Sequence, residues 1–410
     1  MEHQDTMLTS MRPRLKELND NPYYNSDGEY EIDDSGCIMI NVSMTDECDT
    51  KRLSVDSFLD YMSDLRTLRR VDKTTVRTKH IRQTVIDTTN HGSEYIALLL
   101  SKYVYVGQNF EVNVVNNPFL VGLYNAKEIN CDDNYMIWPC SGYLAIEIKY
   151  LNDSRLAKQD EDLVIRRVLY DLTKKVGVAV FVSEILDVNE LADEAELEYS
   201  VSSVHITKTT IDINTLPKSI EMLDLYRQAK EILNSKLAFL HYYKIIEYVS
   251  PAVAKKKAIE KITIQINQPS TVARDYHYMN TILNIASQYR DDQKDDSLMK
   301  IVIEACLDLK PELIHIPDSL IKQIRNNIGI AEGVDLTAVL LDDNKESSLI
   351  KQVASIIYST RNSIVHAKSN YMETGWECPE DGLPELNKMM DTFALKMIEW
   401  NEAQPENIKV

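Results

Sequence analysis

Glycine is scarce in this chain, 11 residues in 410, and the sites built on glycine are missing with it. There is no Walker phosphate loop, no G-x-S-x-G elbow and no H-E-x-x-H pair, so ATP hydrolysis, serine hydrolysis and zinc hydrolysis are not expected of it. Cysteine is also thin. Its six positions (Cys37, Cys48, Cys131, Cys140, Cys306, Cys378) are too scattered for a disulfide framework in a chain this long and read as reduced structural thiols. Cys131 and Cys140 flank Asp132-Asp133-Asn134, but no C-x-x-C and no paired histidine accompanies them, so a metal site is the weaker reading and no cofactor is expected. No apolar run is long enough to span a bilayer, and the N-terminus lacks a basic segment followed by an apolar one. A cytoplasmic protein without membrane contact is predicted. Basic residues are in deficit, 45 Lys and Arg against 64 Asp and Glu, for a net charge of -19. That sign argues against broad, nonspecific nucleic-acid binding.

What is present divides into two textures. Residues 1–35 read as a weakly ordered acidic arm, polar and without periodicity. Over 36–207 short apolar or alternating runs follow: Cys37–Val42, Tyr95–Leu100, Phe110–Val115, Tyr143–Ile148, Val178–Val182 and Tyr199–Ile206, each predicted as a strand. Helical spacing over Val55–Leu68 and Asp160–Lys174 makes the region a mixed α/β domain suited to sensing or docking. Lys208–Lys218 reads as a linker, ending in Asn214-Thr215-Leu216-Pro217, a cap and proline that start a helix. From 217 to 402 nearly everything is helical: Pro217–Asn234, Ser235–Val249, Thr271–Tyr289, Ser297–Leu309, Ser319–Asn327, Lys345–Asn370 and Leu383–Asn401. A break is expected at Ser250-Pro251. The fold class is thus α+β, a mixed domain followed by an all-α bundle. The two halves differ in charge. Residues 216–410 hold 23 Lys and Arg against 28 acids, and residues 1–215 hold 22 against 36, so the deficit sits mainly in the first half.

The most informative stretch is Arg361-Asn362-Ser363-Ile364-Val365-His366. Histidine moves protons near neutral pH and arginine holds a phosphate bidentately, a pairing suited to metal-free RNA cleavage. Across the eight histidines, no other has an arginine with four to six residues between. Ile350, Val353, Ile357, Thr360, Ile364 and Ala367 form one apolar stripe on the same helix, predicted to face the bundle. Asn362 and His366 are an i,i+4 pair, whereas Arg361 and His366 lie about 140° apart. A groove between two copies of the helix would bring both types together, which predicts a dimer. The plain alternative is a surface arginine in a salt bridge beside a half-buried histidine. Tyr242, Lys244 and Glu247 are candidates to line the cleft, with Glu247 pairing to Arg361 or to Lys244, while Tyr243 reads as core. Lys255-Lys256-Lys257 is either an RNA-steering run or a solvated helix end.

The region 217–401, through Tyr358-Ser-Thr-Arg-Asn-Ser-Ile-Val-His-Ala367 and the aromatic helix Phe239-Leu-His-Tyr-Tyr-Lys-Ile-Ile-Glu247, resembles the HEPN family (higher eukaryotes and prokaryotes nucleotide-binding). The form is similar to bacterial antiviral HEPN ribonucleases, in which a polar residue follows the arginine, as Asn362 does. Residues 1–210 match nothing. The resemblance implies an all-helical homodimer whose shared cleft cleaves RNA without metal, the ribose 2′-OH attacking the adjacent phosphate. His366 would be general base or acid, Arg361 would stabilise charge on the phosphate, and Asn362 would orient His366 or a phosphate oxygen. It further implies a toxin or effector of antiphage abortive infection, held off by the first domain until a protein trigger binds. An inactive HEPN scaffold and an accessory factor of a metabolic operon are the alternatives.

Overall fold

The computed structural model describes residues 31–32, 38–43, 50–63, 65–89, 94–126, 143–152, 155–185, 207–214, 219–267, 276–291, 295–331, 334, 336–337, 343–366 and 372–409. The fold is α+β, and the chain divides into two compact units at Leu216/Pro217. Cys37, Cys48, Cys131 and Cys140, and the strand expected at Tyr199–Ile206, lie outside the described residues.

The first unit begins with a small antiparallel sheet of β1 (Glu31–Ile32), β2 (Ile38–Ser43) and β3 (Thr50–Ser54), so the arm predicted over 1–35 includes a short strand. β3 runs into α1 (Val55–Ser63). The main sheet follows: β4 (Arg69–Arg70), β5 (Thr75–Arg77), β6 (Ile81–Thr88), α2 (Glu94–Ser101), β7 (Tyr103–Val106), β8 (Phe110–Asn116), α3 (Phe119–Ala126), β9 (Leu144–Tyr150), α4 (Lys158–Val176), β10 (Val180–Val182) and β11 (Thr209–Asp212). Its order is β11-β7-β8-β9-β6-β5-β4. β10 pairs with the Ile86–Thr88 end of β6, beyond the part that β5 covers. All pairings are antiparallel except β11 on β7.

Alternation along β6 and β9 sends side chains to opposite faces of the sheet. Ile81 and Val85 join Phe58 and Tyr61 of α1 and Phe119, Leu120 and Leu123 of α3 in one core. Ile86, Ile146 and Ile148 join Ile96 and Leu100 of α2 and Val164, Val168 and Leu172 of α4 in the other. The sheet is therefore covered on both faces.

Two expectations fail in this unit. Tyr95–Leu100 is part of a helix, not a strand: Ile96 and Leu100, one turn apart, are buried while Tyr95, one position before Ile96, is 67% exposed. A six-residue apolar run carries no periodicity that separates the two. Lys208–Lys218 is not simply a linker, because Thr209–Asp212 pairs in parallel with Tyr103–Val106 and closes one edge of the sheet.

The second unit comprises α5 (Ile220–Glu231), α6 (Ser235–Ile266), α7 (Tyr276–Asp291), α8 (Asp295–Cys306), α9 (Leu309–Glu312), α10 (Asp318–Ile328), α11 (Asp343–Val365) and α12 (Leu383–Glu402). α6 is its spine, packing against α5, α7, α8, α11 and α12. Asn234 caps it, its side chain accepting from the backbone N–H groups of Lys236 and Leu237. The break expected at Ser250-Pro251 does not occur; the helix runs on for 32 residues through Pro251. An internal proline costs a helix about 3 kcal/mol. Val249, Ser250, Ala252, Val253 and Ala254 around it are all buried, and that packing outweighs the cost. α12 adds Leu386, Met389, Met390, Phe393, Met397 and Ile398, each at most 1% exposed, as a face of period 3.6.

Candidate functional site

α11 carries the Arg/His pair. Ile350, Val353, Ile357 and Thr360 are buried as the stripe requires, Ile364 is partly exposed, and Ala367 lies outside the described residues. The buried face is wider than the stripe, taking in Leu349, Ala354, Ile356 and Ser359. The last turn is held by the segment that follows the described helix. Thr360, fully buried, accepts a hydrogen bond from the Cys378 backbone N–H at 2.8 Å, and the Thr374 hydroxyl meets that of Ser359 at 3.0 Å. Thr374 and Gly375 are themselves tied to the carboxylate of Glu377. These contacts set the rotation of the turn that presents Arg361.

Arg361 reaches across from α11 to α6. Its Nη1 donates to Oδ1 of Asn362 at 3.0 Å, its Nη2 lies 3.5 Å from a Glu247 carboxylate oxygen, and its Cζ sits 5.6 Å from the centre of the Tyr243 ring. Tyr243 and Glu247 are one turn apart on α6 and so share a face. Of the two partners open to Glu247, the structure uses Arg361. The arginine side chain remains 28% exposed and the glutamate 49%, which keeps the pair weak and leaves part of the guanidinium open to a ligand. His366 is exposed at the end of the helix, and its backbone N–H closes on the Asn362 carbonyl at 2.9 Å. The half-buried histidine of the plain alternative is thus not found, whereas its salt-bridged arginine is.

A shallow groove of about 570 Å³ adjoins this corner, between α5 and α6. Glu221, Asp224, Leu225 and Gln228 line one side, and Lys244, Glu247 and Tyr248 the other. Tyr248 spans it, donating to Glu221 at 3.1 Å; burial and that hydrogen bond raise the phenol above its usual range. Three carboxylates against one lysine make the groove a poor seat for a phosphate. Lys244 and Glu247 line this acidic groove, which holds neither Arg361 nor His366, and Tyr242 does not line it. It is 4% exposed on the far side of α6, packed against the Tyr226 ring at 6.3 Å, with its hydroxyl 3.4 Å from Asp391. Burial first, then Asp391, push its phenol well above the ordinary value. Tyr242 and Lys244 are two positions apart, about 200° of helix, which is why both cannot face one groove.

The basic run is committed elsewhere. Lys255 donates to the Asn407 carbonyl, Lys256 lies over the Trp400 ring, and Lys257 pairs with Glu304. Among the described residues no group of three or more His, Cys, Asp and Glu side chains is placed to hold a metal, and no helix is long and apolar enough to cross a membrane. The Cys306 and Cys378 thiols are both pushed up to about 12, chiefly by burial, so neither is an activated nucleophile.

Sequence reasoning missed the α5 side of the groove, whose Glu221 and Asp224 sit in an ordinary amphipathic helix and carry no separate signal. No family model, no curated protein and no solved structure matches this chain.

Proposed function

We propose that the helical unit is a HEPN-type endoribonuclease with Arg361, Asn362 and His366 as its catalytic residues. The observation that carries the reading is the posture of Arg361: oriented by Asn362, Glu247 and the Tyr243 ring, yet still open, five residues before an exposed histidine at the end of the same helix. In the reaction a histidine ring nitrogen takes the ribose 2′-OH proton. The 2′-oxygen bonds to the adjacent phosphorus and the P–O5′ bond breaks. The 5′-oxygen then receives a proton, leaving a 2′,3′-cyclic phosphate and a 5′-OH. Arg361 stabilises the charge on the phosphoryl oxygens and Asn362 holds the guanidinium fork. One base and one acid are needed in the same step, and the Arg361 motif of each chain carries one histidine. Two chains meeting there supply both, which is the argument for a homodimer.

The acidic α+β unit acts as the regulatory half, docking a protein trigger, and the protein works in the cytoplasm as an antiphage toxin; this setting rests on the family resemblance alone. The Arg361–Glu247 contact also favours a second reading, a non-catalytic scaffold in which the arginine only ties α11 to α6. Cleavage of a mixed RNA substrate by purified protein separates the two. The nuclease reading expects loss of cleavage in both Arg361→Ala and His366→Ala, and it is abandoned if both variants cleave as the wild type does.

A further inference from the structure

One corner of the α+β unit departs from the acidic balance of its half. Residues 65–82 hold seven Lys and Arg (Arg66, Arg69, Arg70, Lys73, Arg77, Lys79, Arg82) against a single acid, Asp72. Strand register concentrates three of them. Arg69 of β4 stands opposite Arg77 of β5, and Arg77 opposite Arg82 of β6. Directly opposed residues share a face, so the three arginines form a ladder across successive strands on the α4 side of the sheet.

Like charges in such a ladder repel unless they are compensated. The inner two are. Glu161, 2% exposed, receives Arg77 at 3.1 Å and Arg82 at 2.8 Å, and Arg82 also reaches Asp162 at 3.2 Å. The outer end is not compensated in this way. Among the described residues neither Arg66 nor Arg69 has a carboxylate at ion-pairing distance, and both are exposed. Arg155 joins them from the approach to α4, its guanidinium donating to the carbonyls of Thr78 and Lys79 at 2.8 and 2.6 Å. Burial, and then Arg77, lower Arg155 from the usual arginine range against the opposing pull of Glu161 and Tyr150, with Arg69 adding a smaller push in the same direction. Nε of Arg77 is buried and has no acceptor among the described residues.

Charge on an edge strand also discourages edge-to-edge aggregation, but that role asks for neither a cross-strand arginine ladder nor a buried donor left without an acceptor. A carboxylate offers two oxygens, whereas a phosphate group can accept from several guanidinium forks at once. We propose that the Arg69–Arg77–Arg155 corner, flanked by Arg66, is a binding site for the phosphate groups of a nucleotide or nucleic acid. It gives the regulatory unit a ligand of its own, and it does not rest on the nuclease reading of Arg361 and His366.

The test is equilibrium binding to full-length His366→Ala protein, so that any cleavage is suppressed and binding alone is read. The probes are a short fluorescein-labelled single-stranded RNA and, separately, ATP, with inorganic phosphate as competitor. Arg69→Gln and Arg66→Gln alter exposed side chains and preserve the Glu161 cluster. Each is expected to weaken the bound probe about tenfold, and for RNA to lower the salt dependence by about one phosphate contact. RNA binding that responds in this way identifies a strand as the source of the phosphate, and ATP binding that responds without RNA identifies a nucleotide. The proposal is overturned if neither probe binds, if binding is indifferent to both substitutions, or if an acidic peptide binds this corner and no phosphate compound does.

Discussion

Glu161→Gln tests the electrostatic heart of the α+β unit. Glu161 is 2% exposed and accepts from three groups: both nitrogens of the Arg77 fork, Arg82 Nη1, and the Tyr150 hydroxyl. The amide keeps the volume and removes the charge, leaving Arg77 with no carboxylate among the described residues and Arg82 with only Asp162. Breaking a buried ion pair from one side costs about 3–5 kcal/mol, because the remaining charge is stranded away from water. For a unit of this size that is a fall in melting temperature of about 6–20 °C. The pH dependence follows from the direction of the carboxyl's shift. Burial alone would raise Glu161, but the Tyr150 hydrogen bond and the charges of Arg77 and Arg82 outweigh it and hold the group below its ordinary value. A carboxyl depressed in the folded state contributes its stability in full above the unfolded value of about 4.3. That contribution is lost as pH falls through the lower folded value. Calorimetry of wild type and variant from neutral pH downward should therefore show a gap that is full at neutral pH, begins to narrow below about pH 4.3 and closes as pH falls through the lower folded value. Hydrogen exchange should place the lost protection in Ile81–Thr88 and Leu144–Tyr150. A gap under about 1 kcal/mol at neutral pH would refute the reasoning, since it would mean that the arginines find water when the carboxylate goes.

Three further outcomes follow from the helical unit. Glu247→Gln should leave stability within about 1 kcal/mol in a denaturant melt, because the pair with Arg361 is half exposed, and should lower RNA cleavage several-fold on purified protein, because one of the three groups that orient the guanidinium is gone. Thr360→Val removes the acceptor of the buried Cys378 N–H and should cost about 1–3 kcal/mol in a denaturant melt. Tyr242→Phe should cost about 0.5–1.5 kcal/mol through the Asp391 hydrogen bond and leave cleavage unchanged, since the hydroxyl faces away from the Arg361 corner.

The parts of this fold that were legible in the sequence are those whose buried positions are apolar at a regular period. β8 alternates buried and half-exposed positions from Phe110 through Val114, and α4 and α12 bury aliphatic faces at helical spacing. β4, β5 and β6 were not legible, because their buried positions include Thr75, Arg82, Gln83 and Thr84, polar side chains satisfied across the sheet or, for Arg82 and Gln83, by Glu161 and Glu147 far away in the chain. β11 escaped for the opposite reason: three of its four residues are exposed, so no apolar alternation marks it. α6 was cut short at Pro251 because a local rule against internal proline was applied where tertiary packing decides. At the candidate site, the spacing of Arg361 and His366 is a property of one helix and was readable. The contact from Arg361 to Tyr243 and Glu247 joins residues more than a hundred positions apart, and the sequence could offer it only as one of two pairings for Glu247. The Arg69–Arg77–Arg82 ladder left a readable trace, a basic run in an acidic half, but the net charge of the whole half concealed it.

The most direct test of the central claim is the chemistry of RNA ends after the protein is induced in cells, mapped by sequencing that captures 2′,3′-cyclic phosphates. The account predicts new cyclic-phosphate ends, paired with 5′-OH fragments, in cells making the wild type and none in cells making His366→Ala or Arg361→Ala at equal abundance. New ends that persist in both variants, or no new ends from wild type that has reached the same level, would contradict it.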